Sequence, residues 1–393
     1  MNEPVRLDLS CPRLDAFFAE RHEALAALLQ ATIPGAKSSL DGSPAEAARA
    51  MGDALGLYAH LVPEKHGGAP AGKPDDGRHV EVRSLLLVRE ALAHVSPMAD
   101  SIFAVQGLGS WPVSAFGTDA QRQRVLPDVL RGTRIGAFAL TEPEAGSDVA
   151  SLQTRATRVG AGWRLDGEKT LISNVGIADH FVVFANADPA AGRKGITAFL
   201  VEATAPGLRT EALALSSPHP LGRVILEGCE IRDDARLGEV GQGFTIAMET
   251  LDAFRISVGA AANGMAARAL ALSVARVKTR RQFGAPLAER EQVQSYLAEM
   301  ATELDAARLL VARAAYVRDT TGGKVTTEAA MAKMFATEAA QRTIDRAVQL
   351  HGGSGVLAGS EVEALYRDIR PLRIYEGTTE IQRLVIAKGI LRG

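Results

Sequence analysis

Val293, Leu297, Met300, Leu304, Ala307, Val311 and Ala314 follow one another at alternating spacings of four and three. That repeat places all of them on one seam of a long helix, as in a bundle or coiled coil. The segments 244–282 and 327–350 are also long and alanine-rich. From about residue 241 the chain therefore reads as a four-helix-type bundle.

The rest of the chain divides by period. Residues 1–135 read as helical, with apolar residues at helical spacing over 14–30, alanine-rich sequence over 45–57, and further helices over 80–94 and 119–131. Thr118 or Asp119 is placed to cap the last of these. Residues 62–68 and 72–77 break the pattern as loops. Between 135 and 235 the period shortens to that of strands, at 135–140, 154–159, 163–165, 181–185, 196–201 and 224–226. Gly160-Ala161-Gly162 turns the chain, and Asp166-Gly167 is a hairpin signal. The expected fold is mostly α with a central β domain: an N-terminal helical domain over 1–135, a β-barrel-like middle domain over 136–238 and a C-terminal four-helix bundle over 239–393.

Composition narrows the function classes. Of 393 residues, 47% are hydrophobic and 23% charged, with net charge −2, which suits a globular protein and gives no basic footprint for nucleic acid. Cys11 and Cys229 lie far apart with no CxxC partner, so neither a disulfide framework nor a metal site is expected, and a reducing compartment is the default. The N-terminus lacks a basic start and an apolar core, so no signal peptide is read there. The most membrane-like stretch, 256–275, is mostly alanine and carries Asn263 and Arg268, which suits a helix among helices better than lipid. A cytoplasmic protein with no membrane span is expected.

The chemistry concentrates near the end, in residues 365–382. Arg367, Arg370 and Arg373 lead to Glu376, preceded by Ile374 and Tyr375 and followed by Gly377. A carboxylate among apolar side chains has its pKa raised, which suits a general base near neutral pH. An ordinary turn with Glu376 in a surface ion pair fits the same spacing. There is no GxGxxG between strand and helix, no HExxH and no nucleophile elbow. Residues 162–170 resemble a phosphate loop with one residue too many, and a hairpin at Asp166-Gly167 explains them better. The hydroxyls and exposed N–H groups of 138–148 could bind the polar edge of a ring system or an anionic phosphate.

Five motifs, FALTEPEAGSD (138–148), GEKTLISN (167–174), TRRQFGAPL (279–287), QLHGGSG (349–355) and IYEGTTEIQR (374–383), occur in the order and at the approximate separations of acyl-CoA dehydrogenases. The chain resembles that family over nearly its whole length. The resemblance implies FAD bound between the β domain and the bundle, and removal of hydrogens from Cα and Cβ of an acyl-CoA thioester. Glu376 would take the Cα proton while the Cβ hydrogen leaves as hydride to flavin N5. Phe138, Leu140, Thr141 and Ser147 match flavin and substrate contacts. Leu171 stands where the family usually has a tryptophan on the flavin face, and Ser173 replaces the threonine that bonds N5. Arg280 and Phe283 match residues that reach a neighbouring subunit's FAD, and Gln349, Gly352 and Gly353 match its adenosine contacts. Thr378 and Glu380 match further FAD contacts. Asp252, Arg255 and Gly377, with Ser147, fall at substrate positions.

The family's other base position is Phe254 here, which cannot accept a proton, so Glu376 remains the candidate. Reduced flavin would pass electrons to an electron-transfer flavoprotein, and a homotetramer built as a dimer of dimers is implied. Two same-fold alternatives are a flavin oxidase and a dehydrogenase of carrier-protein thioesters; a third is a scaffold without activity. His351 is read as packing or solvent-facing, and the acyl group is left open.

Overall fold

The computed structural model describes residues 6–9, 14–72 and 76–392. Cys11, the first residues of the N-terminus and part of the 72–77 loop lie outside the described residues. In chain order the helices are α1 (Glu20–Thr32), α2 (Lys37–Leu40), α3 (Pro44–Arg49), α4 (Val82–Val95), α5 (Pro97–Phe116), α6 (Asp119–Leu130), α7 (Gly243–Thr279), α8 (Glu291–Thr321), α9 (Thr326–His351), α10 (Glu361–Ile369) and α11 (Thr379–Arg392). The strands are β1 (Gly136–Ala139), β2 (Arg155–Val159), β3 (Gly162–Ser173), β4 (His180–Asn186), β5 (Ile196–Glu202), β6 (Leu208–Ala212), β7 (Leu221–Arg232) and β8 (Arg236–Leu237), then a small pair, β9 (Arg281–Gln282) and β10 (Ala285–Pro286).

The chain falls into two compact units. One holds the described residues up to Ser38, Val82–Asp100 and everything from Arg255 onward; the other holds Ser39–Glu81 and Ser101–Phe254.

In the first unit the heptad-spaced residues of α8 behave as their spacing demands. Met300, Leu304, Ala307, Val311 and Ala314 are buried in a core shared with α7 and α9, and Val293 and Leu297 pack at its edge. Alanine is the commonest residue of that core, which lets helix backbones approach closely. Buried ion pairs tie α4 and α8 together in the same unit. Arg308 pairs with Glu90, and Asp319 near the end of α8 takes both the start of α4 and its arginine. Asp319 Oδ1 accepts from the Val82 N–H at 2.9 Å, and Oδ2 accepts from the Arg83 N–H and Nε at 3.0 Å. A carboxylate at a helix N-terminus satisfies orphan N–H groups and meets the positive end of the helix dipole.

The second unit is built on one mixed sheet in the order β6-β7-β3-β2-β4-β5-β8, with β1 parallel to β4. β4 is buried along its whole length, so its side chains read as a continuous apolar run rather than an alternation. Thr118 caps α6: its hydroxyl accepts from the Gln121 N–H while the Gln121 side chain accepts from the Thr118 N–H.

Two local expectations are corrected, and one helix is not read at all. The β2–β3 hairpin turns at Gly160-Ala161, whereas Asp166-Gly167 lies inside β3 at a bulge opposite β7. Leu165 faces Cys229 and Gly167 faces Leu226, so the extra residue lies on β7, and Gly167, at φ 150, is not a turn position. α1 begins at Glu20 instead of residue 14. α5 carries no expectation of its own, because it is apolar nearly all round and interrupted by Pro112, Gly107 and Gly109. A helix buried on every side lacks the periodic stripe that marks an amphipathic one. α7 is long and apolar enough to cross a membrane by length and composition, and most of that apolar stretch is buried inside the protein.

Asp319→Ala leaves Arg83 buried without its carboxylate and strips the cap from α4. It is expected to destabilise the protein by about 3–5 kcal/mol, read as a lower denaturant midpoint; a change under about 1 kcal/mol contradicts this account of the α4–α8 contact.

Candidate active site

In the helical unit, residues 370–379 leave α10 through a short 3₁₀ turn and enter α11. Glu376 and Gly377 both take left-handed backbone angles, with φ 52 and 93. For glutamate that conformation costs about 1–2 kcal/mol, so something must hold it. The holders are donors converging on the two carbonyls. Arg255 Nε donates to the Glu376 carbonyl at 3.2 Å, Lys333 Nζ to that of Gly377 at 2.8 Å, and the buried Gln382 amide to both, at 3.4 and 3.0 Å. A Cβ at Gly377 would lie 2.3 Å from Gln382 Nε2, so a side chain there would displace the amide that holds both carbonyls, besides straining the backbone at φ 93. Glu338 on α9 clamps both ends of the turn, accepting from Arg373 Nε at 2.8 Å and Thr379 Oγ1 at 2.7 Å.

This scaffold aims the Glu376 side chain inward. Glu376 Oε2 is enclosed and has no hydrogen-bond partner among the described residues. Burial raises its carboxyl above the usual value, while Arg89, Arg255 and Lys333 pull it back. Arg89 is fully buried on α4, bound bidentately to Asp100 at 2.8 Å and to Ser257 Oγ at 3.0 Å. Burial opposes its charge and Asp100 more than restores it. Lys333, fully buried on α9, is pushed by burial down to about 8, opposed mainly by Glu376. Nothing among the described residues accepts from the Glu376 N–H.

Other expected positions in this unit vary in their surroundings. Thr378 Oγ1 accepts from the Ile381 N–H, so this hydroxyl caps α11, with Glu380 exposed in its first turn. Gln349, Gly352 and Gly353 lie exposed where α9 ends, Gly352 with φ 62. His351 bonds its own helix, Nδ1 to the Ala347 carbonyl at 2.8 Å, in line with a packing role. Arg280 follows α7 and is exposed; Phe283, at φ 50 between β9 and β10, is 95% exposed.

The sheet unit carries the remaining positions. Phe138 meets Phe184 edge-on at 4.9 Å, Leu140 is buried, and Ser147 is exposed. A buried ion pair ties their loop to β3: Lys169 Nζ bonds Glu142 Oε1 at 2.7 Å and the Leu140 carbonyl at 3.2 Å. Glu142 also accepts from the Gln153 and Thr154 N–H groups. The Thr141 carbonyl takes the Thr170 N–H at 2.9 Å. Beyond it Leu171 turns left-handed, at φ 55, and stands 58% exposed. Ser173 ends the strand with its hydroxyl bonded to His219. An exposed aliphatic side chain beside hydroxyl and backbone donors fits an isoalloxazine, which needs apolar contact on its face and hydrogen bonds along its edge. Asp252 and Phe254 lie on α7 in this unit. Phe254 is spent on packing, its ring filling the place where Gly107 on α5 would carry a Cβ, at 2.5 Å.

Reasoning from sequence missed Arg89, Lys333, Glu338, Gln382 and His219. A lysine inside an alanine run, as Lys333 is, was the one visible sign among them.

Residues 22–133, 137–229 and 241–391 match the N-terminal, middle and C-terminal domains of acyl-CoA dehydrogenase. The 3-(aryl)acrylate reductase of Clostridium sporogenes is 36% identical over 96% of this chain and 100% of its own. Butyryl-CoA dehydrogenase of Megasphaera elsdenii superposes with a TM-score of 0.87 at 32% identity, covering 95% of this chain and 99% of its own. A chain in the structure of the electron-transferring flavoprotein of Acidaminococcus fermentans also gives 0.87, at 34% identity and covering 96% and 99%. The chain belongs to the acyl-CoA dehydrogenase family, the FAD-dependent oxidoreductases of acyl-CoA metabolism.

Proposed function

We propose that this protein dehydrogenates an acyl-CoA thioester at Cα and Cβ with Glu376 as the base. The observation that carries the reading is the enclosed, unpartnered Oε2 of Glu376, on a carboxyl whose affinity for a proton is raised by burial. An acceptor left without a donor inside a protein is costly, and a substrate C–H is what it can address. The Glu376 N–H, with no acceptor among the described residues, is available to the thioester oxygen, where negative charge grows as the Cα proton leaves. FAD, when bound, supplies the oxidation by accepting the Cβ hydrogen as hydride. Leu171, Ser173, Thr141 and Phe138 would hold its ring, with Leu140, Ser147, Thr378 and Glu380 as further contacts. Arg280, Phe283, Gln349, Gly352 and Gly353 would serve the FAD of a second subunit. Asp252, Arg255 and Gly377 would serve the substrate, as the family resemblance implies.

The cations around Glu376 set the compromise a base requires. Burial raises the carboxyl's affinity for a proton; Arg89, Arg255 and Lys333 oppose this without a direct ion pair, which would occupy the oxygen. An electron-transfer flavoprotein as acceptor is supported by the likeness to the Acidaminococcus structure. A homotetramer is supported by Phe283, a fully presented aromatic ring on a projecting hairpin. A cytoplasmic location stays the reading, and the burial of α7 supports a helix among helices and not one in lipid. A second reading, reduction of an α,β-unsaturated acyl thioester, is favoured by the names of two relatives, the Clostridium 3-(aryl)acrylate reductase and the acryloyl-CoA reductase (NADH) of Anaerotignum propionicum. There a protonated Glu376 would return the proton to Cα, by microscopic reversibility. Anaerobic mixing separates the two. Dehydrogenation predicts bleaching of oxidised flavin by the saturated thioester; the reductase reading predicts that only the unsaturated thioester reoxidises reduced flavin at a useful rate.

Glu376→Gln is expected to keep FAD and lower the rate of flavin bleaching by acyl-CoA by about 10²–10⁴-fold; unchanged bleaching in a stopped-flow trace sinks the assignment. Since the carboxylate is the active form and its pKa is raised, kcat/KM should rise with pH through a limb lying above 4.5. Lys333→Met removes one of the cations that lower this pKa, so the limb should move to higher pH. A limb that stays put or moves down contradicts the electrostatic role given to Lys333.

A further inference from the structure

β3 and β7 fall out of step near the end of β3. Lys169 faces Val224 and Ile172 faces Gly222, so three steps on one strand oppose two on the other. The surplus residue lets Leu171 turn left-handed and outward, and sets Ser173 opposite Leu221. The segment before β7 is fastened there as well, since the Asn174 N–H donates to the Pro220 carbonyl at 2.8 Å. This fastening delivers His219 to Ser173, with Nε2 2.7 Å from Oγ. His219 Nδ1 is enclosed and has no partner among the described residues.

Burial pushes the His219 imidazole down to about 4, so the ring is neutral near pH 7 and carries one N–H. Placed on Nδ1, that proton would be a buried donor with no acceptor. Placed on Nε2, it is used by Ser173, and only a lone pair goes unmet. Orphaned buried N–H groups are the rarer case. With Nε2–H donating to Oγ, the serine's own proton is turned away from the ring and is free to be donated elsewhere. A hydroxyl that accepts one hydrogen bond also becomes a stronger donor in the next.

We propose that His219 is a positioning residue for the cofactor: it holds the Ser173 hydroxyl so that its proton is presented to N5 of the oxidised flavin. The proposal rests on the reading that Ser173 faces the flavin. Oxidised N5 is an acceptor and reduced N5 carries hydrogen, so a fixed donor there favours the oxidised cofactor. His219 therefore holds the flavin's midpoint potential down.

The test is the two-electron midpoint potential of the FAD-loaded protein, measured by dye equilibration in wild type, Ser173→Ala, His219→Phe, the double variant and His219→Gln. His219→Phe should shift the oxidised-to-reduced equilibrium about tenfold toward reduced, which is about 30 mV upward for a two-electron couple. The shift should vanish in the Ser173→Ala background, and His219→Gln, whose amide can donate to Ser173, should restore most of the wild-type value. If Ser173→Ala itself leaves the potential unchanged, the reading that Ser173 faces the flavin fails and the proposal falls with it. If Ser173→Ala shifts the potential but His219→Phe does not, or does so equally without Ser173, the reading stands and the role of His219 is overturned. Should the Phe variant not retain FAD, His219→Asn, too short to reach Ser173, takes its place under the same criteria.

Discussion

Glu376 depends less on its side chain than on its carbonyl. Arg255, Lys333 and Gln382 reach the Glu376 and Gly377 carbonyls from three helices, α7, α9 and α11. Those bonds offset the cost of two successive left-handed residues. The turn would otherwise relax, and relaxation would swing the carboxyl out of its enclosure. Two of the three donors are cations, so the groups that hold the backbone also tune the proton affinity of the carboxyl. Position and pKa are set by one arrangement.

The same economy explains why Arg89 is worth burying. A fully buried guanidinium is costly unless each of its donors is matched, and Asp100 and Ser257 match it. Its charge also lowers the proton affinity of Glu376, and burial pushes the neighbouring Tyr375 hydroxyl well above its usual value. Tyr375 thus stays neutral beside the carboxyl and adds no competing anion. Asp100 does oppose the cations, though least among the named influences.

What was legible in the sequence follows from periodicity. The α8 seam reads at once because its helix has a buried face and an exposed one, and β4 reads because its run is short and bounded. α5 does not read, since a helix apolar on all sides offers no contrast. The hairpin at Asp166-Gly167 misleads because glycine serves bulges as readily as turns, and only the partner strand decides between them. Glu376 was legible as a candidate from its apolar neighbours and following glycine. Its supports were not, since Lys333 and Gln382 come to the turn from 43 residues before it and 6 after it on separate helices. His219 was hidden for the same reason: its meeting with Ser173 depends on strand register.

Left-handed angles at non-glycine residues occur at Leu171, Asn174, Phe283 and Glu376 among the described residues. Three of these are positions where the family resemblance puts cofactor contacts or the base. The fourth, Asn174, is fully buried and bonds its amide to the Gly136 carbonyl at 3.0 Å, which fixes the chain just beyond Ser173. Strain of this kind persists only where surrounding contacts over-determine it. At Glu376 the contacts are the converging donors; at Leu171 and Asn174 they are the bulge and the bond to Pro220. Phe283 has the least support within its own chain: Arg290 bonds the Gln282 and Phe283 carbonyls at 2.9 and 3.1 Å while the ring itself stands in solvent. A bulky side chain held in a strained conformation with its apolar face exposed is poorly accounted for by its own chain alone. That is the placement which the proposed use of Phe283 by a second subunit calls for.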